Sequence, residues 1–409
     1  MCRLKVSRFN DSAAAFNSLV ITLPEYKCKG CHSAKVVLER RQWLTLFMRR
    51  TKLDQLIIVV WLFLLNAGGA GGADISGTTN KAVGQTSIVA PTLSPLLLNS
   101  NGETIASRRG WLKQREVIRQ NWLNFMGEFP GRKCPLKLSV LDTEDLPEFT
   151  RRHISYQVEE GVFTDGYLLV PKSPKGKLPA VVVFHSTVKE QAKLVAGINQ
   201  TVPEKAQGLQ LVQRGYIVLC PRNFIYNEGA DFGGNVARLK ERHSHWTGMG
   251  KMVFDGIRAV DVLESLLEVD RKHIGVMGHS LGGKEALYAA AFDERIKAAV
   301  SSEGGIGLRF SNWDADWYLG PGINSPDFKH ENHEILALVA PRAFLLLAGG
   351  SADNDKSGVF IQAAQPIYRL FNAEEKLAWF NHGLGHRYPP EARNVAEDFL
   401  DRYLKGKNE

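Results

Sequence analysis

IGVMGHSLGGKEALYAAA occupies residues 274–291, and its reading decides the fold. Ile274–Met277 reads as a short buried strand, and Leu281–Ala291 as a helix. Between them stands Gly278-His279-Ser280-Leu281-Gly282, a G-x-S-x-G motif followed by Gly283. A serine on a tight turn also serves as an ordinary helix N-cap. Here the strand–turn–helix setting is that of a nucleophile elbow, which lifts the serine hydroxyl above the end of a sheet. Gly278 and Gly282 permit backbone approaches that a Cβ would block. The helix N-terminus then offers the Leu281 N–H to a developing oxyanion.

Outward from this motif, strand and helix alternate. Ala180–Phe184 (AVVVF) is an unbroken apolar run, as in a strand covered on both faces. Glu204–Arg214 reads as a helix and Tyr216–Cys220 as a strand. Lys251–Leu267 is an amphipathic helix. Ile296–Val300 and Ala343–Leu347 read as strands, Val359–Leu370 as a helix, Leu377–Phe380 as a strand and Glu391–Leu404 as a helix. Such alternation predicts βαβ units, an α/β class and a mostly parallel sheet flanked by helices. Ahead of it, Trp111–Met126 has apolar residues at helical spacing, and His153–Glu159 and Val162–Val170 flank Glu160-Gly161 as a hairpin. One long insertion, at about 302–340, separates two strands and reads as a lid-like loop.

A nucleophilic serine needs a base and a carboxylate to orient it. Asn381-His-Gly-Leu-Gly-His386-Arg-Tyr-Pro-Pro390 follows a strand and precedes the last helix. Gly385 before and Pro389-Pro390 after release a loop, which favours His386 as base over His382. The acid is expected after strand Ala343–Leu347. Asp353 in Gly350-Ser-Ala-Asp353 is the first choice and Asp355 a near rival. Glu303, which ends the strand after the elbow helix, is a third candidate and a possible supporting carboxylate. A second oxyanion donor is expected from the loop after AVVVF, at Ser186 or Thr187.

The chain has 409 residues, 44% apolar and 23% charged, an ordinary globular composition. Its formal net charge is +8, with 51 Lys+Arg against 43 Asp+Glu. The excess is local: residues 1–73 hold 11 basic and 4 acidic residues, leaving +1 for the remainder. That remainder has no electrostatic footprint for nucleic acid. Leu56–Leu65 (LIIVVWLFLL) follows Arg49, Arg50 and Lys52 and precedes a run of small residues ending at Ala73. These are the parts of a secretory signal, and the run is too short for an ordinary membrane span. The expected organisation is therefore 1–47 as an over-extended start or long n-region, 48–73 as signal peptide, 74–106 as flexible linker and 107–409 as catalytic domain. The expected location is secreted or periplasmic, with no stable membrane insertion after cleavage.

Cys28-Lys-Gly-Cys31-His32 has the spacing of a haem attachment site, but it lies ahead of the signal. No cofactor or metal is expected. His243 and His245 on the loop before a helix lack further ligands, although His245 could line the cleft. Cys134 and Cys220 could form at most one disulfide after processing.

The stretches GHSLGGKEALYAAAFDERIKAAVSSEGG, LVAPRAFLLLAGGSADND and GLGHRYPP resemble secreted bacterial α/β-hydrolases of the dienelactone hydrolase-like and acetyl xylan esterase-like group. The resemblance covers about residues 150–405. It implies the α/β-hydrolase fold and hydrolysis of esters through a serine triad. There is also a likeness to glucuronoyl esterases, which have a G-C-S-R-x-G-K elbow and an acidic residue after the following strand. Ser280, Gly283 and Lys284 match that pattern, and Glu303 stands where that acid would fall. His279 and Leu281 depart from it, since the family has cysteine and arginine there. Dienelactone hydrolases proper use a cysteine nucleophile, against which Ser280 argues. The likeness implies a carbohydrate ester substrate, with Lys284, Glu303, Trp313, Trp317 and His245 as candidate substrate contacts. Trp313 and Trp317 in the insertion would either stack on sugar rings or pack the lid. An acyl-peptidase, or a hydrolase of small esters or lipids, is the competing reading of the same fold. A non-catalytic binding protein is disfavoured by the intact Ser, Asp, His set.

Overall fold

A computed structural model describes residues 93–409, apart from 100, 131–133, 173–175, 199–200, 230 and 407–409, together with four short strands ahead of them. Within residues 1–74, Leu19–Ile21 (β1) pairs antiparallel with Val36–Leu38 (β2), and Leu44–Arg50 (β3) with Leu56–Leu62 (β4). Most of the apolar run expected in a signal is thus a strand. The expected cleavage zone and the C-x-x-C-H segment lie outside the described residues.

The second unit, residues 75–409, is built on one nine-stranded sheet. Its strands are Ser139–Asp145 (β5), Phe149–Glu159 (β6), Val162–Pro171 (β7), Leu178–Phe184 (β8), Ile217–Pro221 (β9), Val269–His279 (β10), Ile296–Ser302 (β11), Ala343–Ala348 (β12) and Leu377–Asn381 (β13). Their order is β13-β12-β11-β10-β8-β9-β7-β6-β5. Every pair from β9 to β13 is parallel, and β7, β6 and β5 extend the sheet antiparallel. The mostly parallel α/β reading therefore holds. The helices are Arg108–Met126 (α1), Ala192–Val195 (α2), Gln207–Gln213 (α3), Phe232–Arg242 (α4), Gly248–Ser265 (α5), Leu281–Phe292 (α6), Asn332–Val339 (α7), Gly358–Leu370 (α8) and Pro390–Leu400 (α9).

The apolar run of β8 explains itself in the packing. Ala180, Val182 and Phe184 belong to one core cluster, and Val181 and Val183 to the other. Side chains alternate across the sheet, so a strand covered on both faces has no polar position. The first cluster takes in α1, α5, α6 and α7, and the second takes in α3 and α9. On α1, Ser107 caps the N-terminus by accepting from the Gly110 N–H at 3.1 Å. Trp111, Ile118, Trp122, Leu123 and Met126 are buried, whereas Leu112, expected on the same face, is exposed.

Two expectations change. The end of the expected linker packs onto the domain: Leu96 and Ile105 are buried, and Leu98 bridges Thr104. Edge strand β5 was not anticipated, because all seven of its residues are exposed and no alternation marks it. Arg151 of β6, held to Glu144 at 2.5 Å, ties that edge down. Cys134 and Cys220 are free thiols, with Cys220 buried.

Candidate active site

The loops following β8, β10, β11, β12 and β13 all leave the carboxyl ends of parallel strands, where ligands meet open α/β sheets. Ser280 lies between β10 and α6 at φ 61°, ψ −117°, a strained setting for a residue with a Cβ. Its N–H donates to the Ser302 carbonyl at 2.8 Å, and its carbonyl accepts from the Gly283 and Lys284 N–H groups. A Cβ on Gly278 would strike the Gly282 backbone, and one on Gly282 would strike the Phe184 carbonyl. The elbow is thus pressed against both β10 and the end of β8, which is why both positions are glycine.

His386 comes from the loop after β13. Its ring lies 4.8 Å, centre to centre, from the ring of His279, the residue before Ser280. Its side chain is 40% exposed, so solvent reaches the ring. Its Nδ1 lies 3.0 Å from Glu303 Oε2. His382 instead belongs to the loop framework: its N–H donates to the Ala348 carbonyl and its Nδ1 accepts from the Leu384 N–H.

The carboxylate that reaches His386 is Glu303, and not Asp353 or Asp355. Glu303 sits at φ 49°, a second strained non-glycine residue, with its side chain wholly buried. Its Oε1 accepts from the Gly349 N–H, and its Oε2 from the Ala352 N–H at 3.0 Å. Asp353 is buried with its oxygens on other partners: the Gly305 N–H at 2.7 Å, the Ile306 N–H at 2.8 Å and the Ser357 hydroxyl at 2.9 Å. Asp355 is exposed and accepts from the Asn381 side chain at 2.8 Å. The loops after β11 and β12 therefore exchange carboxylates. Glu303 binds amides of the Asp353 loop, and Asp353 binds amides of the Glu303 loop. Spacing puts Asp353 first, but both loops lie at the same sheet end, and here side-chain reach puts Glu303 on His386.

The expected oxyanion donors stand at two chain segments beside the elbow. Leu281 opens α6, whose first N–H groups have no intrahelical acceptor. Ser186 is buried, with its hydroxyl donating to the His279 carbonyl at 3.1 Å. Thr187 is exposed. His185 was not singled out in the sequence, yet it is wholly buried here. Its position directly after AVVVF was the available signal.

The expected substrate contacts divide. Trp313 is wholly buried, and its Nε1 donates to the Gly305 carbonyl at 2.6 Å, so it packs the insertion and offers no face to a sugar. Lys284 is buried too: its ammonium donates to the Gly304 carbonyl and lies 4.2 Å over the Trp313 ring. Burial pulls its pKa down to about 7. Both residues brace the Glu303 turn from beneath. Trp317 is half-buried against Phe232, with ring centres 5.5 Å apart. His245 is exposed on the loop between α4 and α5. Among the described residues no three His, Cys, Asp or Glu side chains gather as a metal site would require.

The sheet order and this set of strand-end loops have the architecture of the α/β-hydrolase fold. Residues 164–331 match the model of the Dienelactone hydrolase family. The chain is 26% identical over 316 residues to the Putative hydrolase YtaP of Bacillus subtilis (strain 168), covering 71% of this chain and all of that one. It is 23% identical to the 4-O-methyl-glucuronoyl methylesterase of Phanerochaete carnosa, over 57% of this chain and 68% of that one. Among solved structures, a glucuronoyl esterase from Solibacter usitatus superposes with a TM-score of 0.63 at 17% identity, covering 77% of this chain and 98% of that one.

Proposed function

We propose that the protein is an exported serine esterase acting on carbohydrate esters, with glucuronoyl esters as the favoured class. The observation that carries this reading is the buried Glu303 carboxylate on His386 Nδ1, beside the strained elbow of Ser280. Glu303 holds the imidazole so that its other nitrogen takes the Ser280 hydroxyl proton. The serine oxygen attacks the ester carbonyl, and the resulting oxyanion is met by the Leu281 N–H and an amide of the 186–187 loop. His386 returns the proton to the departing alcohol. Water, activated by the same base, then releases the acid from the acyl-enzyme. An acid placed after β11 is the arrangement that the likeness to glucuronoyl esterases implies. The names of the relatives support the same class. Residues 48–73 are read as the export signal.

Ser280→Ala tests the assignment in the full chain against methyl glucuronate, acetylated xylan and p-nitrophenyl acetate. Turnover should fall by at least about 10³-fold with the fold retained, because the residual rate would come from oxyanion binding alone. Wild-type turnover in that variant would contradict the reading. Preference for acetylated xylan over methyl glucuronate would move the substrate class.

A further inference from the structure

His279 stands directly before the elbow serine, and no step described above uses its imidazole. It is wholly buried. It pairs with Ser302 across β10 and β11, so the two side chains stand on one face of the sheet. Its Nδ1 lies 3.0 Å from the Ser302 hydroxyl oxygen. The Ser302 carbonyl accepts from the Ser280 N–H at 2.8 Å, and the His279 carbonyl accepts from the Ser186 hydroxyl at 3.1 Å. The ring is thus tied to the same two strand ends that fix the backbone of the nucleophile. Burial, with the charges of Lys205, His386 and His382 acting in the same sense, holds its pKa well below the ordinary histidine range. The ring is therefore neutral when His386 takes up a proton.

The base needs such a fixture. Glu303 holds the His386 ring at one atom, Nδ1, at 3.0 Å. A single hydrogen bond lets a ring pivot about it, and solvent on the outer side of His386 gives no stop. On the inner side stands His279, with ring centres 4.8 Å apart and planes inclined by 47°. Among the described residues no other aromatic ring is in contact with His386. The His279 ring also meets Tyr388, two residues further along the same loop and buried, edge-on at 6.1 Å. The loop that carries the base therefore rests on His279 at two points. The charge that His386 gains arises within the ~6 Å over which an aromatic face attracts a cation. We infer that His279 is a positioning residue for the base: its ring, tied to Ser302, is the inner wall that keeps His386 between Glu303 and Ser280. This rests on Ser280 and His386 being nucleophile and base.

The test uses the full chain and p-nitrophenyl acetate, with rates divided by the folded fraction from near-ultraviolet circular dichroism. His279→Ala should lower kcat by about tenfold to a hundredfold, the effect of a base displaced by about 1 Å, with KM changed less than about threefold. His279→Phe keeps an aromatic wall without the bond to Ser302, and should recover at least about fivefold of that loss. His279→Asn keeps a polar partner for Ser302 without the ring, and should stay near the alanine variant. A residue that only fills the core would leave kcat per folded molecule equal in all three. If His279→Ala does not fold, the Phe-to-Asn ratio still decides. Wild-type kcat in His279→Ala, a kcat in His279→Asn equal to or above that of His279→Phe, or a loss carried by KM overturns the inference. If Ser280→Ala remains active, it is the reading of the nucleophile that has failed.

Discussion

At the scale of single residues, the site is made of side chains held where they are costly. Ser280 and Glu303 occupy positive φ, and His185 is an imidazole without access to water. His185 has a measurable consequence for stability. Its native pKa of about 4 lies below the ordinary 6.5, because burial penalises the charged ring. Between those values the unfolded chain binds a proton that the native protein does not, so stability falls as pH is lowered from 6.5 to 4. The full effect is about 3 kcal/mol, from roughly 1.36 kcal/mol per pKa unit. Urea midpoints of the wild type should therefore drop more steeply over this window than those of His185→Asn. Parallel pH profiles for the two proteins would contradict a buried neutral His185. Arg222 opposes protonation from the β9 side, and the Tyr226 ring covers the imidazole at 5.4 Å.

At the scale of elements, the strand-end loops are fitted to one another backbone against backbone. The Gly349 N–H binds Glu303, and the Gly349 carbonyl accepts from the Gly385 N–H at 2.6 Å. A Cβ on Gly349 would strike the Gly385 carbonyl and come within 2.7 Å of the His382 ring. Gly349→Ala must push the His386 loop away from Glu303. Displacements of about 1 Å in a catalytic constellation cost up to ~10² in rate, so kcat should fall by about tenfold to a hundredfold. A stopped-flow measurement giving wild-type kcat would show that the two loops do not need this contact. The elbow was legible in the sequence because strand, glycines and helix are contiguous there. The acid was not, because it depends on which of two neighbouring loops sends a side chain under His386. Glu303 has one methylene more than Asp353, and its backbone turns at φ 49°, neither of which spacing records.

At the scale of the whole molecule, the parallel sheet, the strand–turn–helix around Ser280 and the loop that carries His386 could be read from local patterns. The long-range exchange of carboxylates between the loops after β11 and β12 could not. Nor could the packing of the insertion, where Trp313 looks like a substrate contact but joins Tyr318 and, from α6, Lys284 in a buried brace around the Glu303 turn. Edge strand β5 escaped for a related reason: a strand with no buried face carries no periodic signal. The account's central claim is that Glu303 orients His386 while Asp353 holds the loop that presents Glu303. Asp353→Asn places an amide donor against one of the two N–H groups, Gly305 or Ile306, that Asp353 now accepts from. It should destabilise the fold by about 1–3 kcal/mol while changing kcat of the folded enzyme less than about tenfold. Glu303→Gln removes the charge from the imidazole and should lower kcat by about 10³–10⁴-fold. The most direct measurement is therefore kcat for ester hydrolysis by Glu303→Gln and Asp353→Asn, each divided by the folded fraction. A collapse confined to Glu303→Gln is the result expected; a collapse in Asp353→Asn with Glu303→Gln near wild type would contradict it.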